Sequence, residues 1–304
     1  MQKTESSPLV SVIIPTFNSV STIHDTLKSV LEQDYPHLEI IVVNDGSTDD
    51  VVDQLKRYGD RLTLINQKNS GQGAARNKGA EIAGGEYLAF VDADDLWDVS
   101  KITEQVNLLT NFPSALATYC DHRTIDENND ILGSNGALLH LRPSGAITAA
   151  LLYGSCIITP GVALVRKSAW RLINGFNEQR LLIGKEDYDF WLRLSLKGAV
   201  IYSPQTLVSY RRHSKQITQQ QDYDLNLSVT RLISLAAIAD EIQKKNDREL
   251  SDFYQYCLLK FQLNASWASR QAGRKSEALR YAWQSCLSNP LLISPWKALV
   301  KAVI

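Results

Sequence analysis

Apolar residues in the first 95 positions fall into short runs that alternate with stretches of helical spacing. The runs at residues 10–14, 38–43, 61–65 and 86–91 have the length and composition of buried strands. After the first run, Ile23, Leu27, Val30 and Leu31 form a stripe that predicts an amphipathic helix. Strands that alternate with helices predict an α/β fold, with a mostly parallel sheet covered by helices on both faces.

Polar residues follow three of these predicted strands at the point where each strand ends. Asn18 comes after the first strand, Asp45 after the second, and the acidic segment Asp92–Asp95 after the fourth. Loops at one end of a parallel sheet converge, and the carboxyl edge is where open α/β folds bind ligands. The sequence therefore predicts a ligand site formed by these loops.

The acidic segment has the composition of a divalent-cation site. Asp92 and Asp94 are two residues apart, so on an extended backbone their side chains point the same way. Two such carboxylates suit Mg2+ or Mn2+, which keep several waters and also bind a substrate diphosphate. The alternative is a solvated acidic turn in which Asp94 or Asp95 caps a helix.

The middle of the chain is less regular. Residues 200–202 and 207–210 predict two short strands, and residues 184–194 predict a loop that runs into an amphipathic helix. Glu186 and Asp187 lie at the start of this helix. Carboxylates there also interact favourably with the helix dipole, so a purely structural role stays open for both.

From about residue 219 the pattern is helical, so we predict two domains, residues 1–218 and residues 219–304. In the last predicted helix, Trp296, Leu299, Val300 and Val303 lie on one face, with lysines on the other. Such a helix could make peripheral contact with a membrane surface. Packing of this face against the neighbouring helices is the favoured expectation.

Composition narrows the class of protein. The 304 residues carry a formal net charge of -1, so the chain does not have the excess of basic residues that is typical of a nucleic-acid-binding protein. The four cysteines are far apart and show no zinc-binding spacing, which favours reduced thiols in the cytoplasm. The first apolar run is too short for a signal peptide, and no apolar stretch is long enough to span a bilayer. We therefore expect a cytoplasmic protein, with peripheral attachment to the membrane as an option.

Five segments carry a family resemblance. They are VSVIIPTFN (10–18), IVVNDGSTDD (41–50), NSGQGAARNKG (69–79), GEYLAFVDADD (85–95) and KEDYDFWLRL (185–194). In this order they resemble the signature segments of family 2 glycosyltransferases, and the resemblance covers about residues 8–215. It implies a GT-A fold, with a nucleotide-sugar-binding half at about 8–98 and an acceptor half at about 99–218. It also implies an inverting transferase of the EC 2.4 class that is hexosyltransferase-like.

The resemblance assigns roles one residue at a time. The nucleotide-sugar-binding residues would be Pro15, Thr16, Asn18, Asp45, Arg76, Asp92 and Ala93. The metal ligands would be Asp94, Asp92 and His213, and the catalytic pair would be Asp187 as general base with Glu186 beside it. The implied donor is a nucleoside-diphosphate sugar, with a UDP-sugar favoured, and the implied cofactor is Mn2+ or Mg2+. The implied acceptor is a saccharide or lipid-linked hydroxyl, in the assembly of cell-surface polysaccharide, lipopolysaccharide or glycolipid.

Two other functions stay open at this point. A sugar-1-phosphate nucleotidyltransferase would need a loop rich in glycine and lysine after the first strand, whereas residues 15–19 (PTFNS) contain neither. A non-catalytic scaffold would use the helical C-terminal region to recruit partners. The carboxylates at Asp45, Asp92, Asp94 and Asp187 argue against a scaffold but do not exclude it.

Overall fold

The computed structural model of the protein describes residues 7–134, 142–213 and 223–303. The chain divides into two compact units, one of Met1–Ala150 with Ser155–Ser214 and one of Leu151–Gly154 with Lys215–Ile304. The predicted boundary between residues 218 and 219 lies outside the described residues. The first unit contains the sheet, and the second is helical.

The strands of the described chain belong to one nine-stranded sheet. In chain order they are β1 (Val10–Thr16), β2 (Leu38–Asn44), β3 (Thr63–Asn66), β4 (Tyr87–Phe90), β5 (Leu96–Trp97), β6 (Ala117–Ile125), β7 (Ile131–Ser134), β8 (Ala163–Arg166) and β9 (Val200–Arg211). Their spatial order is β3-β2-β1-β4-β8-β6-β9-β5, with β7 paired to β6. The predicted α/β architecture is confirmed, and the sheet is mixed.

The described residues of the two units also form α-helices. In chain order they are α1 (Ile23–Leu31), α2 (Val51–Lys56), α3 (Gln72–Ile82), α4 (Lys101–Asn111), α5 (Thr148–Tyr153), α6 (Lys167–Leu172), α7 (Glu186–Ser195), α8 (Tyr223–Lys244), α9 (Arg248–Gln271), α10 (Lys275–Ser288) and α11 (Ile293–Val303). The predicted C-terminal helical region is confirmed as α8–α11. No helix among the described residues has the length and apolar character needed to cross a membrane.

The parallel half of the sheet sets the position of the loops. Strands β3, β2, β1 and β4 are parallel neighbours, so their carboxyl ends lie at one edge. Helix α3 packs closely on β1, because a Cβ added at Gly79 would lie only 2.6 Å from a methyl carbon of Ile13. Beyond β4 the antiparallel strand β8 intervenes. The two strands predicted at 200–202 and 207–210 are one strand, β9, whose register with β6 shifts between residues 120 and 122.

The second unit has its own apolar contacts. Ala278, Ala282 and Ala302 form a buried cluster where α10 meets α11, and Leu299 packs against it. The other three apolar residues of the predicted α11 face, Trp296, Val300 and Val303, are exposed. The expected packing of this face against neighbouring helices therefore holds for Leu299, whereas Trp296, Val300 and Val303 stay exposed. The surface of α11 that contains Leu299 and Ala302 is packed within the protein, and the surface that contains Trp296, Val300 and Val303 is exposed.

Candidate active site

The loop after β1 is held by the loop after β2. Asn18 has a positive φ of 51°, a conformation that asparagine tolerates better than most residues. Its side-chain oxygen accepts a hydrogen bond from the Thr48 backbone N–H at 2.8 Å, and its own N–H donates to the Ser47 hydroxyl at 3.0 Å. Pro15 and Thr16 are buried in the last two positions of β1. The predicted first nucleotide loop therefore lies at the carboxyl edge of the sheet.

Asp45 organises the next loop along this edge. Its carboxylate is buried and accepts hydrogen bonds from the Gln67 side chain at 2.8 Å and from the backbone N–H groups of Ser70 and Gly71 at 2.8 and 2.9 Å. A carboxylate has about four acceptor positions. Asp45 thus fixes residues 67–71 and has little remaining capacity for a ligand. Gly71 suits this turn because its φ is 93°.

Arg76 joins two segments that are far apart in sequence. Its guanidinium is 1 % exposed, and it donates to Asp92 Oδ1 and Glu186 Oε1, both at 2.5 Å. Burial alone would lower the pKa of Arg76, but the adjacent carboxylates outweigh burial and raise it. We call Asp92, Arg76 and Glu186 the ion triad, in which Arg76 and Glu186 are buried and the Asp92 side chain is 22 % exposed. This arrangement favours an orienting role for Arg76, since both terminal nitrogens are engaged.

The start of α3 makes room for this triad. A Cβ added at Gly73 would lie 3.2 Å from the Glu186 side chain and 3.3 Å from the Asn177 carbonyl oxygen. Asn77 stabilises the same contact. Its side-chain NH2 donates to the Phe176 carbonyl oxygen, and its side-chain oxygen accepts from the Phe176 backbone N–H, both at 2.8 Å. The small residues at the start of α3 therefore allow the chain before α7 to approach.

Asp187 lies next to the triad and differs from it. Glu186 is buried, whereas Asp187 is partly exposed and accepts a hydrogen bond from the Tyr188 backbone N–H at 2.8 Å. Burial and the Glu186 charge raise the pKa of Asp187 to about 7, while Arg76 opposes that rise. A carboxylate whose pKa lies near neutrality is suited to accept a proton from a hydroxyl.

Asp94 pairs with the histidine that the sequence places after β9. His213 Nε2 lies 2.9 Å from Asp94 Oδ2, and this hydrogen bond raises the pKa of His213. Arg211 holds the backbone here, because its side chain donates to the Asp94 carbonyl oxygen at 2.8 Å. The fold thus brings His213 to the acidic segment across 119 residues. Ala93, between the two aspartates, is buried.

Asp95 belongs to the acidic segment, and its one individual role predicted from the sequence was a helix cap. It is fully buried, and its Oδ1 accepts a hydrogen bond from the Arg211 backbone N–H at 3.1 Å. Burial, followed by the charges of Asp94 and Asp92, raises the pKa of Asp95 well above its ordinary value. Its signal in the sequence was its position directly before the apolar pair of β5, which returns the chain to the core.

The predicted metal ligands come together only in part. Asp94 and His213 are in contact, whereas Asp92 is bound by Arg76. Among the residues that the structure describes, no three His, Cys, Asp or Glu side chains form a metal-binding group. The carboxylate oxygen and imidazole nitrogen of the Asp94–His213 pair nevertheless fit Mn2+ or Mg2+ if water and a diphosphate complete the coordination.

Comparison with known proteins agrees with this architecture. The family model of glycosyl transferase family 2 matches residues 11–172, and a model described as the N-terminal domain of galactosyltransferase matches residues 152–216. An uncharacterised glycosyltransferase of Rickettsia typhi is 29% identical over 231 residues, which cover 72% of this chain and 68% of that protein. The Escherichia coli protein named UDP-Glc:alpha-D-GlcNAc-diphosphoundecaprenol beta-1,3-glucosyltransferase WfaP is 31% identical over 206 residues, or 67% of this chain and 77% of that one.

Solved structures show the same fold. Staphylococcus aureus TarS (residues 1–349) in complex with UDP-GlcNAc superposes with a TM-score of 0.72 at 18% identity, over 97% of this chain and 89% of that one. The mannosyltransferase PcManGT of Pyrobaculum calidifontis, in complex with GDP-Man and Mn2+, has a TM-score of 0.59 at 20% identity, over 98% of this chain and 85% of that one. The chain belongs to glycosyl transferase family 2, and it is a nucleotide-sugar glycosyltransferase with a GT-A fold.

Proposed function

We propose that this protein is a metal-dependent, inverting glycosyltransferase that moves a sugar from a UDP-sugar to a hydroxyl of a lipid-linked saccharide. The observation that carries the proposal is Asp187. It is a partly exposed carboxylate with a pKa of about 7, next to an ion triad that connects it to the acidic segment. This is the placement that a general base needs beside a diphosphate site.

The donor would bind along the carboxyl edge of the sheet. The nucleoside would contact the loops that contain Asn18 and Asp45, and the diphosphate would lie near Asp94 and His213. A divalent cation held by Asp94 and His213 would neutralise charge on the leaving diphosphate. Asp92 would keep Arg76 in place and, through the triad, orient Glu186.

The transfer would be one displacement at the anomeric carbon. Asp187 accepts the proton of the acceptor hydroxyl, whose oxygen forms the new bond to carbon as the bond to the diphosphate oxygen breaks. The nucleoside diphosphate leaves with the bonding electron pair. A single base carboxylate on the face opposite the leaving group suffices because no covalent intermediate forms, and the configuration inverts.

Relatives support the substrate class. TarS binds UDP-GlcNAc, and WfaP is named for transfer of glucose from UDP-Glc to a GlcNAc-diphospholipid. Both names connect this fold with a UDP-sugar, and WfaP connects it with a lipid-linked acceptor. We extend these substrates to this chain as part of the proposal, in the assembly of a cell-surface polysaccharide.

The test is a donor and acceptor screen with the purified protein. UDP-glucose, UDP-GlcNAc, GDP-mannose and a dTDP-sugar are each incubated with Mn2+ and a synthetic GlcNAc-diphospholipid, and products are identified by mass spectrometry. We expect transfer from a UDP-sugar that EDTA abolishes. NMR of the product should show the anomeric configuration opposite to that of the donor.

Two variants separate donor binding from chemistry. Asp187→Asn should keep the Mn2+-dependent thermal stabilisation by UDP while losing transfer, and Asp94→Asn should lose much of that stabilisation. Pyrophosphate release from a nucleoside triphosphate and a sugar 1-phosphate would instead identify a nucleotidyltransferase. UDP binding with no turnover of any donor, together with an unchanged phenotype for Asp187→Asn in the host, would support a scaffold.

A further inference from the structure

Large apolar side chains are exposed where α10 turns into α11. Leu291 is 96 % exposed, Ile293 72 % and Leu287 65 %. We define the apolar turn as Leu287, Leu291, Leu292, Ile293, Trp296 and Val300. The Trp296 indole N–H donates to the Pro290 carbonyl oxygen at 2.9 Å, which holds the ring against the turn. Exposed apolar groups of this kind mark interaction sites when they are clustered.

Helix α11 orients its small and large residues in an unusual way. The buried cluster at its inner face is formed by Ala278, Ala282 and Ala302. The outer face presents Ile293, Trp296, Val300 and Val303, whose spacing of three, four and three residues places them on one stripe. A surface helix ordinarily buries its large apolar stripe and exposes polar residues. Here the stripe of large residues faces outward, while the small residues make the buried contact. Helix α11 is therefore packed through one face and still exposes its large apolar side chains.

The charged side chains from residue 278 to residue 304 all have one sign. After Glu277 the sequence contains no aspartate or glutamate, whereas Arg280, Lys297 and Lys301 are basic. Lys297 and Lys301 are exposed. Lys297 lies four residues after Ile293, and Lys301 lies four residues after Lys297, so the two lysines form a row beside the apolar stripe. An apolar stripe with tryptophan and flanking lysines is typical of helices that lie in the interface of a bilayer.

We propose that the apolar turn docks on an anionic phospholipid surface, with Leu291, Ile293 and Trp296 in the acyl boundary and the lysines at the lipid phosphates. A second copy of the chain is the less favourable occupant. In a symmetric dimer the same patch faces itself, which would bring lysines together without any acidic residue between 278 and 304 to pair with them. The proposal concerns attachment and does not depend on the identity of the transferred sugar.

Vesicle co-sedimentation of the full chain tests this inference. The protein is mixed with vesicles of phosphatidylglycerol and phosphatidylcholine, or with phosphatidylcholine alone, at low and high salt. We expect binding to the anionic vesicles that weakens with salt. Leu291→Ser/Ile293→Ser should weaken it by about tenfold or more, because two aliphatic side chains no longer leave water. Lys297→Glu/Lys301→Glu should weaken binding to anionic vesicles by at least roughly fivefold for each lysine.

A matched control uses exposed apolar residues elsewhere. Ile131 and Leu132 of β7 are 67 % and 59 % exposed, and Ile131→Ser/Leu132→Ser should bind vesicles like the wild-type chain. Absence of wild-type binding to anionic vesicles, or equal losses in the control, would overturn the proposal. Self-association in sedimentation velocity that Leu291→Ser/Ile293→Ser abolishes would overturn it in favour of a dimer. Sugar transfer to a water-soluble acceptor should be the same in all these variants, so a failure here is distinguishable from failure of the proposed enzyme function.

Discussion

The carboxyl edge of the sheet and the turn between α10 and α11 depart from the usual distribution of residues in opposite ways. At the edge, Arg76, Asp45 and Asp95 are charged or ionisable and buried. At the turn, Leu291 and Ile293 are apolar and exposed. Both arrangements carry a free-energy cost in an isolated domain, because buried charges lose hydration and exposed aliphatic groups order water. In our interpretation groups of the protein offset this cost at the edge, and a lipid surface offsets it at the turn.

The edge also shows how the fold controls its buried charges. Asp45 has three hydrogen-bond donors and Arg76 pairs with two carboxylates, so the protein itself compensates the charge of both side chains. Asp187 and the Asp94–His213 pair are partly open to solvent, as is Asp92. The compensated groups hold the loops, and the partly open groups are available for substrate.

The largest effect that would test this division comes from Asp187→Asn. We expect kcat to fall by about 10²–10⁴-fold, because the acceptor hydroxyl loses its base. The folded state should be no less stable, since a carboxyl whose pKa is raised on folding loses stability as pH rises from its unfolded pKa of about 3.9 towards 7. Asp189→Asn in the same helix is the control. Asp189 is fully buried and bound by Arg193 Nε at 2.7 Å, so this change should lower the unfolding free energy by about 1–3 kcal/mol. A stability loss for Asp187→Asn with unchanged kcat would assign both aspartates to structure.

Arg76→Ala should give the largest loss of stability. It leaves Asp92 and Glu186 as unpaired carboxylates, and breaking a buried ion pair in this way costs about 3–5 kcal/mol. Urea unfolding monitored by circular dichroism measures the change. The matched control is Lys56→Ala, which removes an exposed 2.8 Å ion pair with Asp53 and should have little measurable effect. Similar midpoints for the two variants would contradict the triad.

Asp45→Asn and Asp95→Asn distinguish the two buried aspartates. An amide at position 45 would replace a carboxylate that accepts three hydrogen bonds, and we expect a loss of about 1.5–3 kcal/mol. Asp95 is held towards its neutral form by burial, so an amide there should cost less than about 1 kcal/mol at pH 7. Thermal unfolding of both proteins in one buffer gives the comparison. The reverse order of stability would show that Asp95, and not Asp45, is the charged anchor.

The pH dependence of kcat/KM provides a finer test. Asp187 must be unprotonated to act as base, so activity should rise with pH through an apparent pKa of about 7. Glu186→Gln removes the second cause of the raised pKa and should move this rise to lower pH. A profile that is flat between pH 5 and 8 in both proteins would rule out Asp187 as the titrating base.

The smallest expected effect lies at the turn. Leu291→Ser should change the unfolding free energy by less than about 0.5 kcal/mol, because this side chain is already in water. Ala282→Leu, in the buried cluster of the same helix pair, should cost about 1–3 kcal/mol through overpacking. Thermal unfolding of each variant measures both. A large loss for Leu291→Ser would mean that the turn packs against the protein and is not free for a lipid surface.

Much of the architecture could be predicted because local patterns determine it. The four runs before residue 92 became β1–β4, and helical spacing identified α8–α11. Strand β9 was predicted as two strands because residues 203–206 (SPQT) interrupt the apolar pattern, at the place where the register with β6 shifts. The exposed stripe of α11 was assigned to packing because a helical pattern shows that a face is apolar without showing what covers it.

The sequence by itself determined the fold class, the family, and the carboxylates that end β2 and β4, because strand period, loop position and segment order are local properties of the chain. Only the tertiary structure decided which of these charged side chains are bound by other side chains of the protein. Arg76 meets Glu186 across 110 residues, and His213 meets Asp94 across 119. Such pairings depend on how the sheet is wound, and burial then sets which carboxylates stay charged and which hold a proton. The raised pKa of Asp187 is therefore a property of the folded chain, although its residue type is visible in the sequence.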